Sequence, residues 1–301
     1  MTVWNQPGFD LAPVAQAVGP FDQRGFFEAV SPLDEGEPFA AEGADSFIPL
    51  RRVGEEILFA GDADLTDYHT PFGGDCETLI ARVADEQAPG RFTLDSLPEE
   101  AAKPLAAGLA GAGWNVEVTV HEVAAVLDLP GTYEEYLAEI GKKERHEVRR
   151  KRRRYERMVG EVRHETHRGI GWGLDEFIRL HRMSAGGKGE FMTEERQDLF
   201  TSLALLEGWR VDLLRAPDDS AAAAVFGYTD DTGYYLYNSA YDSALSDASP
   251  GVVLLGTMIE RAIAEGFDRF DFLKGDEGYK FRLGARRRPL NEIVAVPGGG
   301  R

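Results

Sequence analysis

The chain has 301 residues, enough for one large domain or two of ordinary size with a sizeable core. Hydrophobic residues make up 43% and charged residues 28%, and no apolar run approaches the ~20 residues of a membrane span or has signal-peptide form, so a soluble, cytoplasmic protein is expected. A net charge of −19 works against nucleic acid and anionic membranes, and the single cysteine, Cys76, excludes an internal disulfide and a cysteine-rich metal site.

Residues 1–20 contain two prolines before Val18 and no hydrophobic period, and read as a loose or docking terminus. Residues 46–50 and 56–60 flank a turn at Gly54 and predict a hairpin. A helix over 78–86, with Cys76 as a buried thiol just before it, a strand over 91–97, a helix over 99–110 opened by Pro98 and a strand over 114–120 complete a first unit. The cut falls near residue 130, giving domains at 1–130 and 131–301.

Thr132 is a good N-cap for a helix that places Tyr133, Tyr136, Leu137 and Ile140 on one face. Gly141 interrupts it, and a basic helix, KKERHEVRRKRRRYER, runs on to Val159 with ten Lys or Arg against three Glu. Read alone, that run resembles a polyanion patch; Glu147 and the narrow face of Val148, Tyr155 and Val159 favour a solvated helix packed on its own acidic body. A strand over 160–167 follows. His164 and His167 lie three apart in it, so they face opposite sides and cannot share a metal ion.

The next helix, 174–183, carries His181 on its apolar stripe, where a core histidine competes with a catalytic one. A glycine-rich loop around Lys188 leads to a helix capped by Thr193. Strands at 209–215, 222–228 and 234–240 come next, the last two forming a hairpin across DDTG. Then comes the stretch on which the chain is organised: a loop closing on Ser249, Pro250 and Gly251, a helix with Val252, Leu255, Ile259, Ala262 and Ile263 on one face, a stop at Gly266, an aromatic strand FDFL, and a polar DEGYK turn. Strand, helix and strand predict a parallel crossover, whose ligand site lies at the carboxyl ends of the strands. The tail VPGGGR reads as disordered.

In the loop, Ser249 can cap, Pro250 suits the first helical turn, and Gly251 lets a ligand approach backbone N–H groups carrying a partial positive charge. In the turn, Asp271, Glu277 and Lys280 converge within ten residues. Either a carboxylate works as a base, or a salt link to Lys280 pins the turn.

The elements SAYD, SPGVVLL, FDFLKGDEGYK and FRLGA resemble the carboxyl-terminal signature of the CelD-like branch of the GNAT superfamily of acyltransferases, which is related to the FemAB proteins. The match is clearest from about Tyr133 to Arg286. The resemblance implies a mixed α/β fold of tandem GNAT-like domains in a FemAB-like arrangement, the first degenerate. It implies acyl transfer, most simply acetyl transfer, from acetyl-CoA or another acyl-CoA to a primary amine by direct attack, with no permanently bound cofactor and no metal. It places the coenzyme over Ser249, Gly251 and Val252, with Tyr237 and Lys280 beside it and Lys188 at the acceptor cleft. Asp271, Glu277 or His181 then takes the amine proton, and Tyr241 or Tyr237 protonates the leaving thiolate. Two other readings stand beside it: a FemAB-like transferase drawing on aminoacyl-tRNA, and a GNAT-fold binding protein without catalysis.

Overall fold

The computed structural model describes Trp4, residues 7–184 and residues 187–299, without the side chain of Lys188. The chain forms two compact units, one of residues 1–124 with 287–301, the other of residues 125–286. Among the described residues no helix is long and apolar enough to cross a membrane.

The first unit runs α1 (Arg24–Val30), β1 (Glu37–Glu42), β2 (Ser46–Val53), β3 (Glu56–Phe59), β4 (Phe72–Gly73), α2 (Cys76–Gln87), β5 (Arg91–Leu97), α3 (Glu99–Gly111) and β6 (Trp114–Asp128), the last of which continues into the second unit. The hairpin of β2 and β3 turns at Gly54, whose φ of +59° is one that glycine adopts without a Cβ penalty. β3 then pairs in parallel with β5, the helix α2 lying between them in sequence. Cys76 opens α2 with a buried thiol that donates to the Phe72 carbonyl, and burial pushes it up to about 11, away from the thiolate form. The leading segment docks: Phe9 packs edge-on against Phe47 and Phe72, and Val18 and Phe21 are buried. α1 and β1 are elements that periodicity did not announce.

The second unit contains α4 (Tyr133–Glu139), α5 (Lys142–Met158), β7 (Arg163–His167), α6 (Trp172–Arg182), α7 (Gly187–Glu190), α8 (Glu194–Ala204), β8 (Trp209–Arg215), β9 (Ala221–Thr229), β10 (Gly233–Tyr241), α9 (Pro250–Glu265), β11 (Arg269–Lys274) and α10 (Gly278–Arg282). Strands β7 to β10 pair antiparallel in sequence order, and β10 pairs in parallel with β11. Strand alternation sorts the core into two faces. On one, Tyr234, Phe270 and Phe272 join Leu254, Met258 and Ile259 of α9. On the other, Phe226 and Tyr237 meet Phe200 and Trp209, with Phe177 of α6 on Phe226. α9 ends as its sequence dictates: Gly266 takes φ +85° and its N–H returns to Ile263.

The last strand, β12 (Arg286–Pro297), pairs antiparallel with β5, Asn291 standing opposite Leu97. The unit boundary therefore differs from a single cut near residue 130, because β5 needs a partner and takes it from the far end of the sequence. That strand also absorbs the first two residues of VPGGGR.

Buried charge in the second unit is paired. Asp212 is fully buried and accepts four hydrogen bonds, from His164 (2.9 Å) and Thr166 (2.7 Å) on one oxygen and from Arg210 (2.8 Å) and Tyr234 (2.9 Å) on the other. Burial alone would raise its carboxyl; the His164, Arg210 and Thr166 donors outweigh burial and hold it below the usual range. Arg210 reaches on to Glu265 at 3.1 Å.

Candidate active site

Beyond Tyr235 and Asp271 the parallel pairing of β10 with β11 stops, although β10 runs on to Tyr241 and β11 to Lys274. The cause is local. A bulge between Leu236 and Asn238 inserts Tyr237 into β10 and turns it, while β10 stays paired to β9 as far as Tyr241 opposite Ala223. The carboxyl ends of two central strands thus separate, leaving β10 an unpaired edge toward β11.

At the end of β10, a 3-10 helix over Ser243–Ala248 leads into α9. Ser249 takes φ +57° and ψ +48°, so it does not cap: an N-cap side chain needs an extended backbone, and no capping bond forms. Pro250 occupies the first turn as expected. Val253 makes the first helical bond, to the Ser249 carbonyl at 3.2 Å, which leaves the N–H groups of Gly251 and Val252 ahead of it as donors. A Cβ on Gly251 would lie 3.5 Å from the Tyr241 ring, and Tyr241 is 43% exposed. Two residues singled out separately in the sequence are therefore neighbours at the helix start.

At the end of β11, Leu273 is held at φ +58°, a conformation that costs a bulky residue roughly 1–3 kcal/mol. Asp271 holds it there: the carboxylate is fully buried and accepts from the Leu273 N–H at 2.8 Å. Lys280 holds it from the other side. Its buried ammonium lies 3.4 Å from the Leu273 carbonyl, 2.6 Å from that of Lys274, 3.4 Å from that of Gly275 and 2.9 Å from Glu277. Four oxygens surround three N–H protons, so Lys280, expected beside the coenzyme, pins the turn instead. The turn itself becomes the short helix α10, with FRL at its end rather than in a strand. Glu277 remains 57% exposed beyond its bond to Lys280. Burial, then Glu277, pushes the Tyr279 phenol up to about 12.

His181 is buried between Phe177 and Phe191, and its Nε2 donates to Asn238 Oδ1 at 2.7 Å, which also accepts from the Ser239 N–H. It props the bulge rather than facing solvent. Asn238 was missed; a lone amide within YYLYNSAY was the available signal. Tyr237 is half-buried within the aromatic face. The side chain of Lys188 lies outside the described residues.

Residues 142–281, just under half of the chain, match the family described as acetyltransferase (GNAT) domain. Among solved structures the chain is similar to a conserved protein of unknown function from Bacteroides thetaiotaomicron (12% identity, 98% of each chain, TM-score 0.67). It is similar also to FemX (11% identity, 97% of this chain and 96% of that one, TM-score 0.62). A third is the lysylphosphatidylglycerol synthetase L-PGS from Bacillus licheniformis (12% identity, 91% and 92%, TM-score 0.56). At these identities the likeness is one of fold, that of tandem GNAT-like units. No curated protein matches the chain in sequence.

Proposed function

From the premise that the second unit carries an acyltransferase domain of the GNAT superfamily, we propose that the protein moves an acyl group from an acyl-coenzyme A to a primary amine. The observation that carries this reading is the separation of β10 from β11 beyond Tyr235 and Asp271, with the start of α9 at the end of β10. An unpaired strand edge accepts an extended chain of amides, such as the pantetheine arm, by backbone hydrogen bonding. The free N–H groups of Gly251 and Val252 suit a diphosphate.

The amine nitrogen attacks the thioester carbonyl, its carbon–sulfur bond breaks, and the sulfur leaves as a thiolate; one proton must leave the amine and one must reach the sulfur. Direct attack needs no nucleophilic side chain, only orientation, a base and donors. Of the two carboxylates, Glu277 is the exposed one, whereas Asp271 is buried with one oxygen committed to Leu273. We assign Glu277 to the amine proton and the exposed Tyr241 hydroxyl to the thiolate. Titration calorimetry with acetyl-coenzyme A should give saturable binding, and Glu277→Gln should lower kcat by roughly two to four orders of magnitude with that affinity kept. A lower Tm with unchanged turnover per folded molecule would leave Glu277 a role in the turn and none in the chemistry.

An aminoacyl-tRNA donor is the second reading, favoured by the exposed Arg149 and Arg153 of α5 and by the likeness to FemX. Affinity for tRNA that falls steeply with salt, without coenzyme A binding, would establish it.

A further inference from the structure

Many cations on this acidic chain have carboxylate partners. On α5, Arg150 binds Glu147 through both oxygens, Arg152 pairs with Glu260 and Arg154 with Asp247. Three do not. Lys143 and Lys151 on α5 and Arg282 at the end of α10 make no ion pair or hydrogen bond among the described residues, and all three line one cavity of about 80 Å³. Its wall also includes Val252, in the first turn of α9, and Tyr279. Glu147 lines it too, but both its oxygens are held by Arg150; Glu144 is the one remaining carboxylate, turned toward Gly141.

Three cations against one uncommitted carboxylate leave a local excess of positive charge that a bound anion would offset. At Lys151 burial pulls the ammonium down, Glu147 opposes this, and Arg282 and Arg150 pull it further. At ~30 Å³ per water the cavity has room for one phosphate group and not for a nucleotide. Its wall is shared with the helix start, where the N–H groups of Gly251 and Val252 await an anion of their own. Two adjoining anion sites suit a ligand with two separated phosphate groups, a diphosphate and a monophosphate.

We propose that Lys143, Lys151 and Arg282 bind the ribose 3′-phosphate of coenzyme A while the start of α9 holds its diphosphate. This rests on the acyl-coenzyme A reading above, and it makes the basic helix a reader of the donor rather than of nucleic acid. The arrangement selects the phosphorylated coenzyme over its dephosphorylated form.

The test is calorimetry with coenzyme A and with 3′-dephospho-coenzyme A. The wild-type chain should prefer coenzyme A by roughly tenfold or more, the scale of a charge-assisted contact. In the double variant Lys151→Gln, Arg282→Gln that preference should vanish with dephospho-coenzyme A affinity unchanged, and the charge-keeping pair Lys151→Arg, Arg282→Lys should retain it. Equal affinity of the wild-type chain for both ligands overturns the subsite and leaves the donor reading standing. An equal loss for both ligands in the Gln variant also overturns it. If neither ligand binds and tRNA does, in a salt-sensitive way, subsite and donor reading fall together.

Discussion

The second unit holds two clusters of charge that differ in one respect. Around Asp212 every oxygen is satisfied by a donor, and the group is sealed from water. Around Lys151 and Arg282 the cations face a cavity and make no ion pair or hydrogen bond among the described residues. A closed network can specify strand register, since a slip would strand a buried charge, whereas an open cluster of cations keeps its donors available to an anion. The contrast teaches that satisfaction, more than charge itself, separates framework from site.

The largest effect expected from breaking this contrast is at Asp212. Replacing it by Ala leaves Arg210 buried beside an empty space and should cost about 3–5 kcal/mol in urea unfolding. A cost near that of a surface substitution would show that the network is not framework. The same group sets a pH dependence. Because its folded carboxyl lies below the usual 3.8, it stabilises the native state fully above that value, and the contribution fades as pH falls below about 4. Urea midpoints measured from pH 6 down to pH 3 should therefore drop less steeply in Asp212→Asn.

Second in size is the helix start. Gly251→Glu adds a side chain against the Tyr241 ring without backbone strain and puts negative charge at the free N–H groups, so coenzyme A affinity should fall by roughly a hundredfold or more with Tm nearly kept. Unchanged affinity in the folded variant would move the donor elsewhere. Third, Lys280→Met removes the donor from three carbonyls and should cost roughly 1–3 kcal/mol of stability while turnover per folded molecule persists. The smallest effect sharpens the contrast from outside: Arg149→Gln with Arg153→Gln, both exposed, should change stability by under about 0.5 kcal/mol and leave coenzyme A binding untouched.

Much of this architecture was legible in the residues because it follows from period and punctuation. α9 between Pro250 and Gly266, the hairpin of β9 and β10, and α5 with its apolar line of Val148 and Tyr155 all follow that way. What was hidden depends on long-range pairing or on single dihedral angles. EPFAAE has no alternation, and becomes β1 only because β2 offers an edge. Leu273 shows no mark of its left-handed backbone, which Asp271 and Lys280 impose from either side. The turn carboxylates and Lys280 were placed together from spacing alone, but which way Lys280 points is decided by carbonyls that composition cannot reveal. Arg282 and Lys151 stand 131 positions apart, and no local pattern brings them to one cavity.

The pairing of β12 with β5 has a consequence in time. Asn291 donates to the Leu97 carbonyl across a separation of 194 residues, so during synthesis the edge of β5 waits while the entire second unit is made. At ~5–20 residues per second that interval is on the order of ten to forty seconds, long against the formation of hairpins and helices. The second unit has all its own strands before the first is finished, and the nascent chain meanwhile carries an open strand edge that invites pairing with other chains. The order of emergence makes the second unit the first to become whole.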